Sequence, residues 1–149
     1  MADPDANTPA DSASPPLRVL VVDDSARLRQ SVRGALEDAG LIVVAEADDG
    51  ANALAQAAAH RPDVVLMDLR MPGMDGVEAT RALRRRQPQT RVVLWTADGA
   101  ARLANAVRES GADAGVAKGI RTVELVATLQ AAGAGARTGP PPRPRSRQG

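Results

Sequence analysis

Short apolar runs alternate with amphipathic stretches through the middle of the chain. The runs are continuous and rich in β-branched residues, which is typical of parallel strands that are covered on both faces. They predict strands at Val19–Val22, Leu41–Ala45, Val64–Met67 and Val92–Trp95, with a fifth at Ala114–Ala117 from its place in the series.

The stretches between the runs carry apolar residues three and four positions apart, which predicts helices. Ser25 is a suitable N-cap for the first helix, and Gly40 ends it. The other helices are predicted at Gly50–His60, Gly76–Arg86, Ala100–Glu109 and Thr122–Ala132. Five strands that alternate with five helices predict an α/β fold with a doubly wound, five-stranded parallel sheet.

The two ends of the chain differ in composition from the middle. Residues 1–16 and 133–149 are rich in Pro, Ala, Gly and polar residues and hold no large apolar side chain after Met1. Such segments bury too little apolar surface to offset the entropy of ordering, so we predict two disordered tails around a folded domain at 17–132. The Arg- and Pro-rich end is interpreted as a solubilising tail rather than a nucleic-acid contact.

Composition and charge exclude several classes of protein. The chain of 149 residues has no cysteine and one histidine, which excludes disulfides, thiolate sites and multi-histidine metal sites. No apolar run approaches the roughly 20 residues of a membrane span, and no secretory leader opens the chain, so we expect a soluble cytoplasmic protein. The net charge of +1 combines a −3 tail and a +4 tail around a neutral body, which gives no argument for nucleic-acid binding.

Charged and hydroxyl residues follow four of the five predicted strands. Asp23 and Asp24 follow the first strand, Asp68 the third, Thr96 the fourth and Lys118 the fifth. Each alone would be read as a turn former or a helix cap. Because the carboxyl ends of parallel strands share one edge of the sheet, these side chains are predicted to converge there.

Three carboxylates placed close together repel one another, so their grouping does not stabilise the fold and indicates a function. Two carboxylates about 4 Å apart repel by about 1 kcal/mol in water and about 4 kcal/mol at an effective dielectric constant near 20. Mg²⁺ relieves such repulsion, since it prefers carboxylate, water and phosphate oxygens. A carboxylate nucleophile beside Mg²⁺, with a lysine and a hydroxyl for the phosphate oxygens, predicts phosphoryl transfer.

The segments VLVVDDSARLR, DVVLMDLRMPGMDGVEATR, WTA and GADAGVAKG resemble those of one family over about residues 17–132. That family is the receiver domain of two-component response regulators, and the likeness is greatest to receivers of LuxR-type regulators. The resemblance implies a flavodoxin-like fold with strand order 2-1-3-4-5.

The resemblance also implies roles for individual residues. Asp68 would be the phosphorylation site, Asp24 a direct Mg²⁺ ligand, Asp23 a ligand through a water, and Arg70 a ligand through its main-chain carbonyl. Thr96 would be the hydroxyl that senses phosphorylation.

Lys118 would be the lysine that binds the phosphoryl group, and its surroundings depart from the family pattern. Receivers place a Tyr or Phe three residues before this lysine, where this chain has Gly115. They place Pro, or Asp in LuxR-type members, directly after it, where this chain has Gly119. The residues for phosphorylation are thus present, whereas the aromatic side chain that reports it is missing.

We therefore expect a single-domain response regulator that takes a phosphoryl group on Asp68 from a sensor histidine kinase or phosphotransfer protein and signals to an unknown downstream protein. It would be a phosphoacceptor with self-dephosphorylation rather than a turnover enzyme, and a monomer or weak homodimer without membrane contact. The seventeen residues after Ala132 are too few for a helix-turn-helix domain, so direct DNA binding is not expected.

Two alternatives remain open from the residues. A receiver fold that binds its partner regardless of phosphorylation is favoured by Gly115 and by the missing output domain. A metal-dependent phosphatase is disfavoured because the acidic pair lies on a different strand from Asp68 and forms no DxD motif. An ion pair between Arg70 and Asp98 is expected across the mouth of the site. Trp95 is expected in the core or at its rim, without a chemical role.

Overall fold

The computed structural model describes residues 15–138, which form a five-stranded parallel sheet flanked by five helices. In chain order the elements are β1 (Arg18–Val22), α1 (Ala26–Asp38), β2 (Ile42–Ala47), α2 (Gly50–His60), β3 (Val64–Asp68), α3 (Gly76–Arg86), β4 (Arg91–Thr96), α4 (Ala100–Ser110), β5 (Ala114–Ala117) and α5 (Thr122–Thr138). The sheet order is β2-β1-β3-β4-β5, which confirms the predicted fold class and the order 2-1-3-4-5.

The core consists of two apolar layers, one on each face of the sheet. Alternate residues of each central strand enter opposite layers, which is why these strands read as continuous apolar runs. One layer, with α2, α3 and α4 over it, contains Leu20, Val22, Val65, Met67, Val92 and Leu94. The other layer, with α1 and α5 over it, contains Val19, Val21, Val64, Leu66, Val93 and Trp95.

Side-chain caps fix the starts of three helices, and the cap at Ser25 is the one that the sequence analysis predicted. The Ser25 hydroxyl accepts the Leu28 N–H at 3.2 Å, and the Asp49 carboxylate accepts the Asn52 N–H at 2.7 Å. Asp75 and Glu78 form a reciprocal capping box at the start of α3. Each cap satisfies amide groups that have no partner within the helix.

The last helix is longer than the sequence predicted. α5 continues to Thr138 instead of ending at Ala132, so the assignment of residues 133–138 to a disordered tail is wrong. Gly133 is buried, and a Cβ atom there would overlap the side chain of Leu17. This close contact offsets the poor helix propensity of glycine, which misled the prediction. The remaining tail segments, 1–14 and 139–149, lie outside the described residues.

None of the helices within residues 15–138 combines the length and the apolar character needed to cross a membrane.

Gly76, the first residue of α3, packs against the chain that leaves β3. A Cβ atom at this position would overlap the main-chain oxygen of Asp68 and lie 2.9 Å from the Leu69 Cα. The Gly76 N–H also donates to the Leu69 carbonyl at 3.0 Å. A residue with a side chain at this position would displace the backbone on which the Asp68 carboxylate is carried.

We therefore expect Gly76→Ala to lower the free energy of unfolding by roughly 2 kcal/mol, since rigid backbone cannot yield to the added methyl group. Gly34→Ala is the matched control, because a Cβ atom at this exposed position in α1 meets no atom within 4 Å. It should raise the free energy of unfolding by up to about 1 kcal/mol. Urea denaturation measures both, and equal effects of the two substitutions would contradict the close approach.

Candidate functional site

The carboxyl ends of four strands bring the predicted site residues to one edge of the sheet. Asp23 directly follows β1, Asp68 ends β3, Thr96 ends β4 and Lys118 directly follows β5. The strand register pairs Val22 with Met67 and Asp68 with Trp95, so these ends lie side by side. The sequence rule that ligands bind at this edge therefore locates the cluster correctly.

Three carboxylates meet at this edge. One oxygen each of Asp23, Asp24 and Asp68 can be chosen so that all three lie within 4.8 Å of one another. Asp23 and Asp68 are buried, with 1% and 2% of their surface exposed, whereas Asp24 is exposed. The cluster thus has a buried floor and an open side.

The Lys118 ammonium lies between the two buried carboxylates. Its Nζ atom is 2.7 Å from Asp23 Oδ2 and 3.2 Å from Asp68 Oδ1. Burial lowers the pKa of Lys118, but the hydrogen bond that its ammonium donates to Asp23 and the charges of Asp68 and Asp23 outweigh it, so the net pKa is raised. Lys118 is therefore a cation at neutral pH.

One ammonium does not neutralise the cluster. Burial raises the pKa of Asp68 to about 6, and the charge of Asp23 adds to this effect. Lys118 and the Arg70 N–H, which donates to Asp68 Oδ1 at 3.3 Å, oppose the rise without cancelling it. Ionised Asp68 is thus held at an electrostatic cost that additional positive charge would relieve.

The donor atoms of the cluster fit a hard divalent cation. The three carboxylates offer only oxygen atoms, which is the ligand chemistry of Mg²⁺. Within the described part of the chain, buried Asp23 Oδ2 faces the Lys118 ammonium and has no further hydrogen-bond partner. A carboxylate oxygen with unused lone pairs beside two other carboxylates has the capacity for a metal ion.

Thr96 lies beside the cluster with its hydroxyl turned into the following loop. The side chain is buried, and its oxygen accepts the Asp98 N–H at 3.1 Å. The Thr96 carbonyl accepts the Lys118 N–H at 2.8 Å, which joins the ends of β4 and β5. Thr96 therefore contacts the loop after β4 through its hydroxyl and the backbone of Lys118 through its carbonyl.

Trp95 was predicted to be a core residue without a chemical role. The structure places it in the core, but its ring also contacts two polar groups, the Lys118 ammonium and the Val22 carbonyl. The side chain is 3% exposed, and the Lys118 Nζ lies 5.1 Å from the centroid of its ring. The indole N–H donates to the Val22 carbonyl at 3.3 Å. The sequence holds no signal for this arrangement, because Trp95 also fits the apolar pattern of β4.

Arg29 is a second residue whose place at the site the sequence did not reveal. Its guanidinium donates to the Asp23 carbonyl at 2.6 Å and to the Glu46 carboxylate at 2.9 Å. The Asp23 N–H donates to the Ala47 carbonyl at 3.1 Å. The Asp23 backbone is thus fixed by α1 and β2 together.

An ion pair crosses the mouth of the site, as predicted. Arg70 lies 3.1 Å from Asp98 Oδ2, and Arg102 of α4 lies 3.3 Å from the same oxygen. These three residues line a cleft together with Asp24. The exposed route to the carboxylates is therefore bordered by two arginines.

The position of the missing aromatic residue is filled by α4. A Cβ atom at Gly115 would lie 2.8 Å from Leu103 Cδ1 and 2.9 Å from Val107 Cγ2. Leu103 and Val107 thus pack directly on the backbone of β5. An aromatic ring at position 115 would require the Leu103 and Val107 side chains to shift.

Comparison with known proteins agrees with this geometry. Residues 19–130 match the model of the response regulator receiver domain family. Response regulator GacA of Pseudomonas viridiflava is 40% identical over 122 residues, which is 81% of this chain and 57% of that protein. The chain spans the same 57% of the length of the GacA proteins of Pseudomonas aeruginosa and Pseudomonas syringae.

Solved structures lead to the same family. The NarL signal receiver domain of Mycobacterium tuberculosis is 40% identical with a TM-score of 0.75, covering 82% of this chain and 99% of that one. Chemotaxis protein CheY4 of Vibrio cholerae is 34% identical with a TM-score of 0.72, covering 79% of this chain and 99% of that one. The chain belongs to the family of response regulator receiver domains of two-component systems.

Proposed function

We propose that the chain accepts a phosphoryl group on Asp68 in an Mg²⁺-dependent reaction and passes the signal on by protein–protein contact. The observation that carries this proposal is the group of Asp23, Asp24 and Asp68 with the Lys118 ammonium 2.7 Å and 3.2 Å from the two buried acids. The donor would be a phosphohistidine on a sensor histidine kinase or phosphotransfer protein, as is expected for a receiver domain.

In the proposed reaction an Asp68 carboxylate oxygen attacks the phosphorus atom. The P–N bond of the phosphohistidine breaks, its electron pair stays on the imidazole nitrogen, and an aspartyl phosphate forms. Lys118 stays against the new phosphoryl oxygens, and the Thr96 hydroxyl turns from the Asp98 N–H towards them. Asp23, Asp24, Asp68 and the Arg70 carbonyl would hold Mg²⁺, which supplies neutralisation of the transferring charge.

A second function is favoured by the packing at Gly115. Because Leu103 and Val107 fill the position of the usual aromatic side chain, α4 and β5 have no ring to reorient on phosphorylation. A receiver fold that binds its partner in one fixed state would show this packing. The two functions differ in whether α4 and β5 change when Asp68 is modified.

The first prediction concerns phosphorylation itself. Incubation with acetyl phosphate and Mg²⁺ should add one phosphoryl group to the wild-type chain and none to Asp68→Asn, as read by intact mass. Asp75→Asn is the matched control, since Asp75 lines the same cleft and Asn retains N-cap capacity. An adduct that persists in Asp68→Asn or forms without Mg²⁺ would contradict the assignment.

Amide hydrogen exchange on the same samples separates the two functions. Altered exchange in α4 and β5 after phosphorylation supports a switch. Unchanged exchange in a fully phosphorylated sample supports the fixed interaction module instead.

The second prediction is a dependence of stability on pH. Because the pKa of Asp68 is raised to about 6 in the folded chain, its ionisation destabilises the fold as pH rises from about 4 through 6. In Mg²⁺-free buffer at pH 7.5, Asp68→Asn should therefore be more stable than wild type by roughly 1–3 kcal/mol. Urea denaturation at pH 7.5 and pH 4 measures this difference, and a gain that persists at pH 4 would contradict the electrostatic cause.

The third prediction concerns the ion pair across the mouth. Arg70→Ala removes one of the two arginines that contact Asp98 and opens the mouth on that side, so water should reach the aspartyl phosphate more easily. The dephosphorylation rate, followed by intact mass after donor removal, should rise several-fold. Arg85→Ala on the exposed side of α3 is the control and should leave the rate unchanged. An unchanged rate in Arg70→Ala would show that the ion pair does not limit access.

A further inference from the structure

The contact between Trp95 and Lys118 joins two residue types that each occur once in the chain. Trp95 is the only Trp, Tyr or Phe among the 149 residues, and Lys118 is the only lysine beside eighteen arginines. The Lys118 Nζ lies 5.1 Å from the ring centroid, which is within the range of a cation–π interaction. The chain's one large aromatic ring therefore lies next to the ammonium that bridges Asp23 and Asp68.

The ring is held in a fixed position. Trp95 is 3% exposed, and the strand register places it between Asp68 on β3 and Val116 on β5. Its indole N–H donates to the carbonyl of Val22, the last residue of β1. The ring is thus tied to the strands that carry both buried acids.

The backbone around Lys118 has strand pairing on one side only, although its N–H donates to the Thr96 carbonyl at 2.8 Å. β5 is a four-residue edge strand that contains Gly115, and the lysine is followed by Gly119 with φ +97°. Two glycines so near the lysine increase the conformational freedom of the segment. The direction of the Lys118 side chain therefore depends on what the ammonium touches.

The two acids alone do not define one position for the ammonium. Asp68 changes from a carboxylate into an acyl phosphate when it is phosphorylated, which alters its contact with the ammonium. The π face of Trp95, 5.1 Å from the Lys118 Nζ, is not altered by this reaction and keeps its attraction for the ammonium. A buried face attracts a cation more strongly than an exposed one.

We propose that Trp95 is a positioning residue that holds the Lys118 ammonium where it can contact the phosphoryl group on Asp68. The inference rests on the proposed phosphoacceptor function and on the role of Lys118 in it. It assigns to the Trp95 ring a restraint on the Lys118 side chain that the backbone pairing of β5 does not provide.

The first experiment observes the lysine directly. Protein labelled with [13C]lysine gives a single ε-methylene signal, because Lys118 is the only lysine. The ring current of Trp95 should shift this signal upfield of an exposed lysine, and Trp95→Leu should remove the shift. A wild-type signal at the position of an exposed lysine overturns the proposal.

The second experiment measures the rate of phosphorylation by acetyl phosphate at saturating Mg²⁺. Trp95→Leu, which removes the ring, should slow labelling roughly three- to tenfold. Trp95→Phe, which retains a ring but loses the N–H donated to Val22, should stay within about twofold of wild type. Rescue by Phe separates the ring face from the hydrogen bond.

A structural control completes the design. Val93 lies two residues before Trp95 on the same strand, is buried in the same apolar layer, and pairs with Leu66 and Ala114 rather than with a site residue. Val93→Ala should lower stability and leave the labelling rate unchanged. Equal rate losses in Val93→Ala and Trp95→Leu, equal losses in the Phe and Leu variants, or a wild-type rate in Trp95→Leu would each overturn the proposal.

Failure of the underlying function is distinguishable from failure of this inference. If wild type takes up no phosphoryl group, the proposed function fails. The lysine signal then still tests whether Trp95 positions the ammonium, because the contact between Lys118 and Trp95 is read without any phosphoryl donor.

Discussion

The site depends on one electrostatic constraint, which is that Lys118 must balance two buried carboxylates at once. Asp23 and Asp68 lie at the ends of neighbouring strands, and both are almost completely buried. A single ammonium at 2.7 Å and 3.2 Å makes their burial tolerable, while Asp24 adds a third negative charge at the surface. The remaining excess of negative charge makes the site receptive to a cation.

The surrounding packing preserves this arrangement. Gly76 allows α3 to approach the backbone of Asp68, and Arg29 fixes the backbone of Asp23 against β2. Trp95 binds the end of β1 and lies against the lysine. The acids are therefore held by contacts from several elements, whereas Lys118 follows a four-residue strand at the edge of the sheet.

Most of the fold was predictable because parallel strands buried on both faces leave a strong signal. The runs around Val19, Val64 and Val92 need apolar residues at every position, and the caps Ser25 and Asp75 fix helix starts locally. The acids and Lys118 could be placed at one edge because strand ends determine that placement. The end of α5 was predicted wrongly because the favourable contact of Gly133 with Leu17 joins residues far apart in sequence.

The same reason explains what the sequence did not reveal at the site. Arg29 and Trp95 act through main-chain carbonyls of Asp23 and Val22, and such contacts leave no pattern along the chain. Likewise, Gly115 shows that an aromatic residue is missing, but only the structure shows that Leu103 and Val107 occupy its place. Local periodicity records burial, not which side chain fills a given space.

The most direct test of the central claim is a calorimetric titration with Mg²⁺ at pH 7.5 and pH 5.5. If excess negative charge at buried Asp68 makes the site receptive, one ion should bind, and more weakly at pH 5.5, because the pKa of Asp68 is about 6 and protons compete with the metal. Absence of binding at pH 7.5, or an affinity that is equal at the two pH values, would contradict the account.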